Sequence, residues 1–282
     1  MQGAERDIYR PPLESAEQCG EIIARIQKAG PIMVIDPEKA LKDLSNTAKR
    51  AAIASKLGMS VILIGGSTDS GEADVVVPEI RRALDSCGGN TLLLAFPGSS
   101  RQVVLGVHAC MLLDLPQIYP VFEQNEKLKE HFLGERERIV HKCNVRRIPL
   151  VPVTYLLFSA GSPTSVEKVT GISGIKVRDD MDVGRVMETV GPWCKPGDQV
   201  FLELGSSPDQ PINLAPIARE VFNATGVVPI ISGGVSRAEH VRQITKELPY
   251  PVGFGSLAET TPPDQFSAVY QSLRASHPLC ST

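Results

Sequence analysis

Apolar residues fall along this chain in short unbroken runs, at 32–35, 61–64, 91–96, 110–113, 151–158, 200–204, 228–231 and 252–254. They lack the polar alternation of a strand with one wet face. Strands buried on both sides read this way, as in parallel sheets covered by helices. The stretches between them carry helical spacing: 40–56 before the second run, 75–84 before the third, 215–224 before the seventh and 238–248 before the eighth. Eight strands alternating with helices predict an α/β fold, a closed (β/α)8 TIM-like barrel in a single domain. An open doubly wound sheet alternates in the same way and is the competing architecture.

Residues 1–30 read as a short N-terminal extension, with Pro11-Pro12 ahead of a helix at 16–28, and residues 31–282 as the barrel. No interdomain linker, low-complexity tract or fixed-period repeat interrupts it. The stretch 123–147 is long, charged and helical, and its basic residues (Arg136, Arg138, Lys142, Arg146, Arg147) read as a solvated face.

Composition narrows the classes of function. The 282 residues hold 29 Lys and Arg against 32 Asp and Glu, a net charge of −3, which lacks the basic footprint of a general nucleic-acid binder. No stretch reaches the about 18 apolar residues of a membrane span. The opening MQGAERDIYRPPLE has no apolar core of a signal peptide. Six cysteines, Cys19, Cys87, Cys110, Cys143, Cys194 and Cys280, show no C-x-x-C spacing, so neither a zinc site nor a disulfide scaffold is indicated. A cytoplasmic protein with reduced thiols is expected.

In a barrel the active site is built from strand ends and the loops just after them. Here those segments are Asp36-Pro37-Glu38-Lys39, Gly65-Gly66-Ser67, Pro97-Gly98-Ser99-Ser100, Gly205-Ser206-Ser207, Ser232-Gly233-Gly234 and Gly255-Ser256. Glycines let backbone N–H groups approach an anion closely, and helix N-termini favour negative charge. The last two loops are a frequent phosphate site in such barrels. A glycine pair alone is also how a tight turn is made; three such loops in succession point to a phosphate.

Two carboxylates stand apart from the ordinary surface acids. Asp36, with the Ser67 hydroxyl, water and ligand phosphate oxygens, suits Mg²⁺; the alternative is an N-cap for the next helix. Glu203 interrupts an apolar run and must face the barrel mouth or be paired. It is a candidate general base or hydroxyl acceptor, the alternative being a structural salt bridge. Neither a G-x-G-x-x-G after a strand nor a Walker sequence is present, so nucleotide chemistry loses support. The five histidines form no i,i+4 pair, and His108, nearest a strand, reads as structural.

The ordered set IDPEK, IGGST, FPG, FLELGSS, ISGGV and GFGS resembles the geranylgeranylglyceryl phosphate synthase family, over about 32–256. That resemblance implies a (β/α)8 prenyltransferase joining an allylic prenyl diphosphate to glycerol-1-phosphate as an ether. By it, Asp36 and Ser67 correspond to the Mg²⁺/diphosphate site and Glu203 to the group engaging the acceptor hydroxyls. Gly205, Ser206, Ser207, Gly233, Gly234, Gly255 and Ser256 correspond to the acceptor-phosphate cradle. Three positions depart from the family pattern. Phe201 stands where a tyrosine is usual, Gly205-Ser206-Ser207 where G-S-G is, and Gly255-Ser256 where G-N is. All three lie on the acceptor side. They resemble the branch that prenylates 3-phosphoglycerate with a farnesyl group in phosphoglycolipid (moenomycin-type) antibiotic biosynthesis, and so imply an acceptor bearing a carboxylate as well as a phosphate.

The implied partners are prenyl diphosphate and phosphoglycerate or glycerol phosphate, with no nucleic acid, no membrane span, a transient membrane-surface contact for the lipid product, and a homodimer. Competing functions are the ordinary glycerol-1-phosphate synthase, a phosphosugar isomerase or lyase on the same barrel, and a non-catalytic prenyl-lipid or phosphate binder. Leu113, Tyr119, Phe122, Tyr155 and Phe158 are candidates for a prenyl tunnel or for ordinary core.

Overall fold

In the computed structural model, which describes residues 13–67, 71–159, 163–177, 182–205 and 213–280, each of the apolar runs lies on a strand. The strands are β1 (Pro31–Ile35), β2 (Val61–Ile64), β3 (Leu92–Ala95), β4 (Ala109–Asp114), β5 (Leu150–Ser159), β6 (Ile175–Lys176), β7 (Gln199–Glu203), β8 (Ile230–Ser232) and β9 (Val252–Phe254). All pairings are parallel, in the order β4-β3-β2-β1-β9-β8-β7-β5, and β4 pairs with β5 to close the ring. Closure excludes the open sheet. The protein is a TIM barrel of eight strands, with β6 as a two-residue addition on the end of β5. Lys176, outside the strands expected from sequence, lies in that addition.

The helices are α1 (Leu13–Gln27), α2 (Pro37–Lys42), α3 (Leu44–Lys56), α4 (Ala73–Ser86), α5 (Tyr119–Phe122), α6 (Glu126–Arg146), α7 (Ser165–Thr170), α8 (Val183–Val190), α9 (Ala215–Thr225), α10 (Ala238–Ile244), α11 (Ser256–Thr260) and α12 (Pro263–Ala275). The helix expected at 40–56 starts earlier and is broken in two. Asp36 caps α2 and Pro37 opens it, while Asp43, with φ −145° and ψ 49°, separates it from α3. The helix expected at 238–248 stops at Ile244, where the Thr245 hydroxyl turns back to the Val241 carbonyl at 2.8 Å.

Alternate residues of each strand serve two cores. Met33, Ile35, Ile62, Ile64, Leu202 and Phe254 face outward and pack against the helical ring. Ile32, Val61, Leu63, Leu94, Met111, Val153, Tyr155, Leu157, Phe201 and Ile230 fill the barrel interior. Glu203, two residues beyond Phe201, therefore points inward at the C-terminal mouth, whereas Phe158, a tunnel candidate by sequence, points out among the helices.

Helix α1 belongs to the same interior. Its Cys19, Ile22 and Ile26 pack with Ile32, Val61 and Val151, and the Cys19 thiol donates to the Leu150 carbonyl at 2.8 Å. The helix thus covers the end of the barrel opposite Glu203. Ile26 is 0% exposed, and truncating a fully buried isoleucine leaves a cavity. Ile26→Ala is expected to cost about 2–5 kcal/mol, measured by equilibrium chemical denaturation. A loss under about 0.5 kcal/mol, the range of an ordinary surface substitution, would mean that α1 is not part of the core.

Candidate functional site

A cavity of about 290 Å³ opens at the C-terminal mouth. Its rim is polar and glycine-rich, with Asp36, Lys39, Gly65, Gly66, Ser67, Gly98, Glu203, Gly205 and Gly255. A second part of its lining, its lobe, is apolar, with Leu113, Leu115, Ile118, Leu128, Phe132 and Val166. One continuous space thus offers charge recognition at one end and shelter from water at the other.

The first three loops are tied together. Asp36 Oδ1 accepts the Glu38 N–H at 3.0 Å, so its capping role is real. A Cβ on Gly66 would stand 3.3 Å from Oδ1 and 3.5 Å from Oδ2, which puts the carboxylate against the second loop, beside Ser67. Gln102 Oε1 accepts from Gly66 N (3.2 Å) and Gly98 N (2.9 Å), pinning the second loop to the third. At Gly65 any side chain would strike the Phe96 carbonyl, at 1.7 Å, so that glycine serves backbone packing. Among the described residues no group of three acidic, histidine or cysteine side chains could hold a metal. Asp36 and Ser67 fit a Mg²⁺ that keeps waters and is completed by substrate phosphate oxygens, the usual habit of that ion.

Glu203 ends β7 and sits between β5 and β8, in register with Leu157 and Ser232. Its Oε1 accepts the Gly205 N–H at 2.7 Å, and the Ser232 side chain also hydrogen-bonds it. No ion pair to Glu203 is present among the described residues, so the structural salt bridge considered from sequence has no partner there. Burial pushes its carboxyl up from the ordinary carboxylate value, with the Ser232 and Gly205 hydrogen bonds opposing. Phe201 lies one layer deeper, 0% exposed, stacked on Tyr155 at 5.6 Å and against Phe96 at 4.8 Å. An aromatic floor thus lies beneath the carboxylate.

Gly205 and Gly233 approach so closely that a Cβ on Gly233 would lie 2.7 Å from the Gly205 carbonyl oxygen; Gly233 has φ +98° and Gly234 φ +70°. The two loops therefore meet through backbone alone. His240 Nδ1 lies 2.9 Å from the Gly234 carbonyl. Ser206 and Ser207 lie outside the described residues. Ser256 opens α11 after Gly255, which lines the cavity. His108 is structural, as expected: its ring bonds the Leu93 backbone, and burial lowers its pKa.

Several cavity residues were missed from sequence. Helix α6, read as a solvated face, turns Leu128, His131, Phe132, Glu135, Arg136 and Ile139 toward the cavity. Their spacing is helical, but it is submerged in charged neighbours. Gln102, which pins two rim loops, is met only in three dimensions; Ser232 was named in its loop, but its hydrogen bond to Glu203 was not foreseen. Of the tunnel candidates, Leu113 and Tyr155 line the cavity, and Tyr119 and Phe122 pack in the same interior cluster.

Fold and site together define a TIM barrel with an anion-suited rim, a buried carboxylate and an apolar recess. Comparison with known proteins agrees. The chain is 25% identical over 244 residues to the geranylgeranylglyceryl phosphate synthase of Thermoplasma volcanium, covering 86% of each chain. It superposes on the solved structure of that organism's enzyme with a TM-score of 0.69 at 20% identity, covering 93% of this chain and 97% of the other. The Thermoplasma acidophilum enzyme, solved with sn-glycerol-1-phosphate, gives 0.70 at 20% identity, with 93% and 98% covered. No family model matches the chain. The resemblance carried by the motifs is thus supported by a relative, and its barrel fold by solved structures; neither singles out the phosphoglycolipid branch.

The raised Glu203 carboxyl has a sign that stability measurements can read. An unfolded chain gives up this proton at the ordinary carboxylate pKa, whereas the folded chain holds it to higher pH. Stability from this group is therefore full at acid pH and declines as pH rises through the folded pKa. Glu203→Gln is expected to melt at a higher temperature than the parent at neutral pH, the gap closing toward acid pH. A lower melting temperature at neutral pH would contradict a buried, uncompensated carboxylate.

Proposed function

We propose that this chain is a prenyltransferase that joins an allylic prenyl diphosphate to a three-carbon phosphate acceptor through an ether. The observation that carries this reading is Glu203, a buried carboxylate on the wall of a cavity whose rim suits phosphates and whose lobe is apolar. The donor diphosphate lies at Asp36, Gly66 and Ser67, with its chain in the lobe beside Leu113, Phe132 and Val166. The acceptor phosphate lies at the Gly233-Gly234 and Gly255-Ser256 loops, beside Gly205, whose own N–H is held by Glu203.

Asp36 and Ser67 are the residues that would hold a Mg²⁺, which would supply charge neutralisation for the diphosphate leaving group. The allylic C–O bond breaks, diphosphate departs, and the apolar lobe keeps water from the developing carbocation. The acceptor oxygen attacks that carbon while Glu203 takes its proton, so the new C–O bond and the lost proton balance. A carboxyl whose pKa burial has raised is a better base for this step than an exposed one.

For the acceptor, the likeness to the glycerol-phosphate enzymes favours sn-glycerol-1-phosphate over the 3-phosphoglycerate expected from the three departures. Charge argues the same way. Nothing among the described residues places a cation on Glu203; Lys39 is held by Glu259 at 3.0 Å, and Arg136 donates to the Leu113 carbonyl. A second carboxylate beside Glu203 would meet repulsion without compensation. Phe201, the departure nearest Glu203, is packed below it as floor.

Purified protein with Mg²⁺, a panel of prenyl diphosphates, and both acceptors at equal concentration is expected to yield the glyceryl ether as main product by mass spectrometry. A dominant phosphoglycerate ether would restore the carboxylate-bearing acceptor, and no ether with any donor would overturn the reading. Asp36→Asn keeps a good helix cap, so it is expected to melt within a few degrees of the parent while losing most Mg²⁺-dependent turnover. Glu203→Gln should lower kcat by about 10²–10⁴-fold with little change in donor binding; a loss confined to donor affinity would remove Glu203 from the acceptor side.

A further inference from the structure

Tyr155 is a buried polar residue of the cavity that the mechanism does not use. It sits on β5 in register with Phe201 of β7, one layer below Leu157 and Glu203. Its ring is fixed on two sides, stacked on Phe201 at 5.6 Å and tilted against Phe96 at 5.9 Å. The residue is 5% exposed and lines the same cavity as Glu203. Its hydroxyl makes no hydrogen bond with any described residue. Other buried tyrosines in the fold serve packing: the Tyr250 hydroxyl reaches the Ala215 carbonyl, and Tyr270 stacks on Phe266. A phenol held rigid on the wall of a ligand cavity, with no partner among the described residues, has a donor to offer a ligand bound there.

Resting on the prenyl-transfer reading above, we propose that Tyr155 is a specificity residue whose phenolic O–H donates to the non-reacting hydroxyl of the acceptor while Glu203 engages the reacting one. The division follows from the chemistry. The attacking oxygen must keep a lone pair free for the allylic carbon and give its proton to Glu203, so a donor is of no use to it. The neighbouring hydroxyl has no such demand and gains from a fixed donor. Burial, and after it the charge of Glu203, push the Tyr155 phenol well above its ordinary value, so it keeps its proton at neutral pH. The aromatic floor then has one polar point, which distinguishes a diol phosphate from an acceptor with a single hydroxyl. A site built to bond a hydroxyl discriminates against the analogue that lacks it.

The test is Tyr155→Phe, which keeps the ring and its stacking. Binding of sn-glycerol-1-phosphate and of 3-hydroxypropyl phosphate, which lacks the middle hydroxyl, is measured by calorimetry for both proteins. Acceptor KM and kcat are measured alongside. The variant is expected to bind glycerol phosphate about tenfold more weakly, the worth of one buried hydrogen bond, and 3-hydroxypropyl phosphate equally well. Acceptor KM should rise with kcat little changed. Equal weakening toward both ligands would mean a packing role, and no weakening toward either would mean no contact; each result overturns the proposal with the transferase reading intact. A parent protein that binds neither ligand and forms no ether overturns the transferase reading and this inference with it.

Discussion

A carboxylate placed inside a barrel mouth, with no counter-cation among the described residues, is the constraint on which the rest of this site depends. Glu203 points inward because it shares the parity of Phe201 on β7, and the layer beneath it is the aromatic floor of Phe201, Tyr155 and Phe96. Two neutral donors, the Gly205 N–H and the Ser232 side chain, are what the described protein offers it. Hydrogen bonds of this kind offset part of the desolvation cost of a charge but leave it a strong proton acceptor. The fold tolerates that cost at one position, and the surrounding architecture can be understood as serving it.

The glycine loops, for instance, are arranged around Glu203. Gly205 donates to its carboxylate and also abuts Gly233, so the same short turn orients the carboxylate and brings two loops of the rim into contact. On the opposite side, Gln102 locks the second and third loops together next to Asp36. The space between these rigid groups is where a phosphorylated acceptor and a diphosphate can meet. Helix α6 and the segment around Leu115–Ile118 wall off the apolar lobe behind them. Charge separation at the rim and water exclusion in the lobe are therefore provided by different elements of one barrel.

Much of this was legible in the sequence because buried parallel strands leave an unmistakable mark. All eight apolar runs coincide wholly or in part with strands, and several of the residues after them line the rim. Asp36, Ser67, Glu203, Gly205 and Gly255 line one cavity. Gly233, Gly234 and Ser256 lie near it without being among its lining residues, while Ser206 and Ser207 fall outside the described residues. What could not be read were features set by the tertiary arrangement. Asp43 interrupts a pattern that looked like one helix from 40 to 56. The cavity-facing row of α6 is diluted by Lys, Glu and Arg, so its amphipathicity is weak in the sequence and appears only when the helix is docked. Tyr155 and Phe158 looked equivalent on one apolar run, yet the strand parity sends the first into the barrel and the second among the helices. The carboxylate-bearing acceptor was inferred from departures in motif letters, and those letters do not carry the electrostatics around Glu203.

The central claim is that Glu203 meets the acceptor hydroxyl while the glycine loops hold its phosphate. A crystal structure with sn-glycerol-1-phosphate and an unreactive thio analogue of a prenyl diphosphate tests it most directly. The account predicts an acceptor hydroxyl about 2.6–3.2 Å from a Glu203 oxygen, the acceptor phosphate at the Gly205 and Gly233-Gly234 loops, and the prenyl chain in the lobe beside Phe132. An acceptor phosphate at Asp36 and Ser67, or a prenyl chain lying across Glu203 with no hydroxyl near it, would contradict it.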